Sequence, residues 1–384
     1  MVSINKLKLL KYEYSKIIYF AGFNFEVQSD SEEVIKEIDE YVSPLEVCDS
    51  KLPMNRFYVK FAISPDIERE IREFCEKNGV EITARTDVTY LKAKTNGFVF
   101  YASYKNLEPF VIVVKNKTFV IIGADKTIAS IRAPLRIIRE VSLRQLENQG
   151  GCFVHSAAVA FNNGQDAFLI TGDGGAGKST LMWYLVKYLG ADFITNDRAI
   201  TLQSKDGISI YGWPMCLRLG LGTVNATMDI NKLRNYTFHR PQVKGLWNQQ
   251  VEDNENAKLN WGNDDKLEIT PKEACDITGT TIRSKSLVKG LFFPRLQIGS
   301  GKIRISPIED TQVVRILNDN LREPVDEDYG RGWLDQRTVE DFVLIENKTK
   351  LMRNLMKLPR WIIQGDPRYL ENSIYELKKY CKQI

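Results

Sequence analysis

Nine consecutive residues, Gly172-Asp173-Gly174-Gly175-Ala176-Gly177-Lys178-Ser179-Thr180, follow the pattern G-x-x-x-x-G-K-[ST]. Glycines there let the backbone curl until several N–H groups converge on phosphate oxygens, and a following helix adds the field of its N-terminus. In such a loop Lys178 reaches the β- and γ-phosphates of a nucleoside triphosphate, and the Ser179 hydroxyl completes a Mg²⁺ shell. An ordinary Gly-rich turn explains the run less well, because Ala167 to Thr171 before it reads as a strand and Leu181 to Leu189 after it reads as a helix.

The second feature is Phe193-Ile194-Thr195-Asn196-Asp197, a short apolar strand ending in a carboxylate 19 residues after Lys178. A strand-terminal aspartate is commonly a cap or turn residue; beside a phosphate loop it can instead hold Mg²⁺ or its waters, or take a proton from an attacking hydroxyl. His155 lies in the apolar run Cys152 to Ala160, and His239 in Thr237-Phe238-His239-Arg240-Pro241. Taken alone, the first reads as a satisfied core histidine and the second as a loop residue.

The elements that must position these residues can be read coarsely. Residues 1 to 125 read as a small α+β domain, with strands at Phe57 to Ile63, Val88 to Ala93, Gly97 to Ser103, Phe110 to Lys115 and Thr118 to Ile122. Asn96-Gly97 and Asn116-Lys117 carry hairpin-turn chemistry. Helices are expected over Glu32 to Tyr41 and from Pro65, capped by Ser64, to a stop at Gly79. A helix between Ala124 and Gln149 carries Arg132, Arg136, Arg139 and Arg144 beside an apolar stripe, a solvated or ion-paired face rather than a ligand site.

Residues 126 to 384 read as a second domain, which carries the glycine loop. Cys152 to Ala160 is expected as one buried strand that turns at Asn162-Asn163-Gly164. The stretch from Asn225 to Asp265 is polar and weakly periodic, which predicts a loop or lid. Strands at Ser286 to Phe293, Lys302 to Ser306 and Arg360 to Gln364 and helices from Glu309 and Pro367 complete the chain.

Composition excludes several classes. The 384 residues hold 43% hydrophobic and 27% charged residues, enough for two domains with their own cores. No apolar run approaches the roughly 18 residues of a membrane span, and the start lacks a secretory signal, so a cytoplasmic address without membrane embedding is expected. Six cysteines form no C-x-x-C pair and only two histidines accompany them, which argues against structural zinc or a disulfide framework. With 53 basic and 49 acidic residues, no nucleic-acid partner is expected.

Gly150 to Val159, Leu169 through the glycine loop, and Gly190-Ala191-Asp192 through Asp197 together resemble the catalytic domain of HPr kinase/phosphorylase. They are especially similar to divergent HPr kinase-like proteins of ribosomal-peptide biosynthetic clusters. The resemblance is clear over Arg132 to Arg218 and does not extend to residues 1 to 125. It implies an α/β P-loop kinase fold of the HPr kinase / phosphoenolpyruvate carboxykinase type, using ATP and Mg²⁺ to phosphorylate a serine hydroxyl of a peptide or protein, such as a precursor peptide. It implies roles for Lys178 and Ser179, a functional His155, and Asp197 as metal ligand and base.

The family's pair of aspartates is Asn196-Asp197 here, and an amide cannot accept a proton. Three outcomes are open: Asp197 alone serves as base, transfer needs little deprotonation because it relies on positioning and charge neutralisation, or catalysis is lost. Arg218 and Lys266 are expected to help balance phosphate charge. A small-molecule hydroxyl kinase and a nucleotide-binding regulator without transferase activity are the competing readings. The acceptor and any homo-oligomeric state stay open.

Overall fold

The computed structural model describes residues 4–42, 56–228, 233, 235–242, 261, 265–322 and 332–382. The chain divides into two compact units, Met1–Gln149 with Glu323–Asp341 and Gly150–Arg322 with Phe342–Ile384. This division keeps the arginine-bearing helix with the first unit, whereas the sequence boundary at 125/126 assigns it to the second.

The first unit is a mixed sheet with helices on both faces. Its strands are β1 (Tyr14–Phe20), β2 (Phe23–Ser29), β3 (Arg56–Ile63), β4 (Val80–Arg85), β5 (Val88–Thr95), β6 (Phe98–Tyr104), β7 (Phe110–Lys115) and β8 (Thr118–Gly123). They lie in the order β1-β2-β3-β8-β7-β6-β5-β4, with β3 parallel to both β2 and β8. Alternation along the strands separates two apolar faces. One, with Val59, Phe119 and Ile121, receives α1 (Glu32–Val42) and α3 (Ile128–Glu147). The other, with Phe98, Phe100 and Ile122, receives α2 (Pro65–Asn78).

The arginines of α3 are engaged rather than solvated. Arg144 is fully buried and hydrogen-bonds Glu140 at 2.8 Å and Glu147 at 2.8 Å; Arg132 pairs with Glu37, and Arg136 donates to the Tyr90 hydroxyl. A buried guanidinium needs such a carboxylate pair to offset its desolvation.

The second unit is α/β, a sheet covered by helices on both faces. Its elements are β9 (Cys152–His155), β10 (Ala157–Phe161), β11 (Asp166–Ile170), α4 (Lys178–Leu189), β12 (Asp192–Thr195), β13 (Arg198–Ser204), β14 (Gly207–Gly212), β15 (Leu217–Gly220) and α5 (Leu221–Thr227). There follow β16 (Lys266–Ile269), α6 (Pro271–Thr278), β17 (Lys285–Leu296), β18 (Arg304–Pro307), α7 (Asp310–Asn320), α8 (Asp341–Leu355), β19 (Arg360–Gly365) and α9 (Leu370–Lys382). The sheet runs β12-β10-β11-β17-β14-β13-β9, and β19 joins β17 to β18. β17 is its spine, parallel to β11 and β19 and antiparallel to β14.

Period-two alternation divides the core of this unit. Val159, Phe168, Ile170 and Phe292 face α4 and α9. Ala158, Leu169, Leu291 and Phe293 face α7 and α8. Both faces of β10 and β11 are therefore buried, which is why these strands read as continuous apolar runs.

Two expectations change. The run Cys152 to Ala160 is two strands: β9 pairs with β13, while β10 pairs with β11 and β12. Uniform apolar character cannot reveal a break between strands that are each buried. The polar stretch 225–265 lies largely outside the described residues, and its first residues continue α5.

Candidate functional site

The glycine loop begins where β11 ends. Thr171 donates its N–H to the Phe292 carbonyl at 3.0 Å, and Leu296 donates to the Ala176 carbonyl at 3.1 Å, so both ends of the loop are fastened to β17. Gly175 (φ +75°) and Gly177 (φ +94°) occupy the left-handed region. A Cβ on Gly177 would stand 2.7 Å from Leu296 Cδ1, whereas one on Gly174 or Gly175 would meet nothing within 4 Å. The loop is thus tight against the sheet at its end and open at its crest.

The first intrahelical bond of α4 is Leu181 N–H to Gly177 C=O at 2.9 Å. The amides of residues 178 to 180 precede it and have no helical acceptor, which leaves them to serve an anion at the positive end of the helix. Lys178 is buried, and its Nζ donates to the carbonyls of Gly172 (2.8 Å) and Asp173 (3.1 Å). Burial pushes its pKa down; Asp197 and Asp173 oppose that shift, and Arg322 adds to it. An ammonium held by neutral carbonyls in this way is short of counter-charge, a condition that a phosphate relieves.

Asp197 stands in the turn between β12 and β13, beside the break between β9 and β10. Ser156, the residue at the break, donates its N–H to the Asp197 carbonyl at 3.0 Å. Arg198 is in register with His155. These contacts place His155 Nε2 3.0 Å from Asp197 Oδ1, while Arg198 Nε lies 3.5 Å from Asp197 Oδ2. Burial alone would raise the Asp197 carboxyl; the His155 hydrogen bond and the charges of Arg198, His155 and Lys178 outweigh it and hold the carboxyl below the ordinary aspartate range. The group remains half-exposed and can still meet a ligand.

Asn196 goes elsewhere. It is buried, its Nδ2 donates to the Cys216 carbonyl at 3.5 Å, and its Oδ1 is enclosed with no partner among the described residues. Both residues lie in the bend between β12 and β13, and their side chains take separate partners, the Cys216 carbonyl for the amide and His155 for the carboxylate.

The remaining loop residues differ in what they have to offer. Ser179 is half-buried in the first turn of α4. The Thr180 hydroxyl is bonded to that of Thr223 on α5 at 2.9 Å. The Asp173 carboxylate is exposed and pairs with Arg315 on α7 at 3.1 Å.

Of the two expected phosphate partners, Arg218 pairs with Glu268 at 3.0 Å, and Lys266 lies on the same β15-β16 ribbon. The cation whose charge Lys178 feels is Arg322, fixed by its N–H bond to the Phe153 carbonyl at 3.0 Å. Arg322 lies 144 residues beyond Lys178 in no motif, so sequence alone does not single it out; the bridge between Val154 and Leu321, with its own bond to Phe153, brings it here. His239 donates its backbone N–H to Glu273 at 2.6 Å, a structural contact.

No cluster of three or more His, Cys, Asp or Glu that could hold a metal by itself occurs among the described residues. Mg²⁺ does not need one. It is commonly held by one or two carboxylates, phosphate oxygens and water, and a hydroxyl with a carboxylate, as Ser179 and Asp197 supply, fits that hard-oxygen preference. No protein-family model matches the chain, and no curated protein matches it either.

Proposed function

We propose that the second unit is an ATP- and Mg²⁺-dependent kinase of the HPr kinase-like type that transfers the γ-phosphoryl group to a hydroxyl, a serine on a peptide or protein. The observation that carries the reading is the His155–Asp197 pair at 3.0 Å, whose carboxylate charge is felt by the ammonium of Lys178 on the glycine loop. A phosphate loop alone fits any nucleotide binder, but a loop with an oriented carboxylate beside it fits phosphoryl transfer.

Gly174 to Thr180 wrap the phosphates with backbone amides, and Lys178 leaves the Gly172 and Asp173 carbonyls to pair with the β- and γ-oxygens. Ser179 Oγ and the Asp197 carboxylate would hold Mg²⁺, which would supply charge neutralisation along the triphosphate. Asp197 accepts the proton of the acceptor hydroxyl, and His155 orients that carboxylate. The lowered pKa makes Asp197 a weak base that is ionised at neutral pH, which suits a loose transition state requiring little deprotonation before attack. Arg322 adds a second positive charge near Lys178. Asn196, facing the Cys216 carbonyl, takes no proton.

The test is label transfer from γ-phosphate-labelled ATP to proteins encoded beside this chain's gene, comparing wild type with Lys178→Ala and Asp197→Asn. Transfer that both substitutions abolish is expected. Tight ATP binding with no transfer to any acceptor supports instead a nucleotide-binding regulator, a reading that the amide at Asn196 permits.

A further inference from the structure

The first unit holds a half-open cavity of about 620 Å³ on the α2 face of its sheet, lined on one side by Ile4, Leu7 and Lys8 of the N-terminal 3-10 helix Ile4–Leu9. Its volume lies within the range of small-molecule sites, roughly 300–1,000 Å³. The floor is apolar, with Phe98, Val113 and Val120 contributed by β6, β7 and β8, and Leu7 lines it as well. Its charged groups are of one sign. Lys8, Lys60 and Lys115 line the cavity, and no acidic side chain is among its described lining residues. Two of these ammoniums sit over aromatic rings, Lys60 at 5.2 Å from the Tyr12 centroid and Lys115 at 4.4 Å from that of Phe98. Tyr12 stays neutral through the physiological range, because burial, with Asp30 nearby, pushes its hydroxyl up to about 12.

We infer that this cavity binds an amphiphile with an aliphatic body and a single anionic head, of the acyl carboxylate class, with the body on the Phe98-Val120 floor and the head among the three lysines. A peptide fits less well. The floor is a mid-sheet face whose backbone groups are taken up in the β3-β8, β7-β8 and β6-β7 ladders, so a peptide backbone lying on it finds no ladder partner, and an unpaired backbone group is costly. An aliphatic chain needs no such partner. The site is independent of the phosphate loop and of the kinase reading.

The probe is dodecanoate, titrated calorimetrically into the full chain below its micellar concentration, with dodecyltrimethylammonium as the partner of equal length and opposite charge. One dodecanoate should bind per chain, at least about tenfold tighter than the cation. Lys8→Glu with Lys115→Glu, both at exposed positions, should weaken dodecanoate by about tenfold and erase the preference, while the thermal melt of the apo protein stays in place. Equal binding of the two amphiphiles, or unchanged dodecanoate affinity in a folded double variant, overturns the inference.

Discussion

His155 Nε2 and Asp197 Oδ1 lie 3.0 Å apart although 42 residues separate them, and the bond forms where β9 gives way to β10. It anchors the carboxylate while leaving Asp197 Oδ2 to Arg198 and to ligands. Removing the imidazole should therefore act on Asp197 in two ways, through its orientation and through its ionisation.

His155→Leu is expected to lower kcat by about 10- to 100-fold with little change in ATP affinity. Because the hydrogen bond helps to hold the Asp197 carboxyl low, its loss should also move the acid limb of the kcat profile to higher pH. An acid limb that stays in place would remove Asp197 from the base role.

The two neighbouring hydroxyls of the loop should separate cleanly. Ser179→Ala should raise the Mg²⁺ concentration for half-maximal transfer by about tenfold, since it deletes the proposed metal ligand. Thr180→Val should leave the Mg²⁺ requirement unchanged and cost about 1 kcal/mol of stability in urea unfolding, because that hydroxyl is bonded to Thr223.

Gly177→Ala should be costly for a backbone reason. The residue sits at φ +94°, and the new Cβ would approach Leu296 Cδ1 to 2.7 Å. A loss of about 1–3 kcal/mol is expected, together with weaker ATP binding as the loop shifts off β17. Gly174→Ala, with open space around it, should cost less in the same urea titration.

Arg322→Gln tests the cation that no motif announced. Its removal should weaken ATP binding by about 5- to 20-fold, measured by calorimetry, without affecting unfolding by more than about 1 kcal/mol. It also removes a like charge from the surroundings of Lys178, so the ammonium should titrate higher.

Asp366 offers a pH test of the fold alone. Hydrogen bonds from the Arg368 side chain, with the Gly299 and Arg368 amides, hold its carboxyl down to about 2, against 3.8 for an unperturbed aspartate. A depressed carboxylate stabilises the fold above the unfolded value, and that contribution disappears as pH falls through the folded one. Asp366→Asn should destabilise by roughly 2 kcal/mol at pH 7, and the gap to wild type should close between about pH 4 and pH 2.

What could be read in advance depended on whether the cause was local. Helix starts at Pro65 and the turn at Asn96-Gly97 are written in adjacent residues, and the structure has Pro65 opening α2 and both turn residues at positive φ. The hairpin of β13 and β14 went unnoticed because its turn, Lys205-Asp206, lies between strands of irregular alternation. The charge on α3 was legible, but the burial of Arg144 between two carboxylates was not, since burial depends on what packs against the helix.

The glycine loop itself was decided by sequence: its glycines, lysine and hydroxyl are contiguous, and the strand and helix that flank it are adjacent in the chain. The surroundings of the loop were left to tertiary structure. The partnership of His155 with Asp197, the inward turn of Asn196 and the approach of Arg322 to Lys178 all rest on ladders and bridges between segments distant in sequence. Such pairings exist only once the sheet has formed, because their hydrogen bonds join strands whose order no local run of residues encodes.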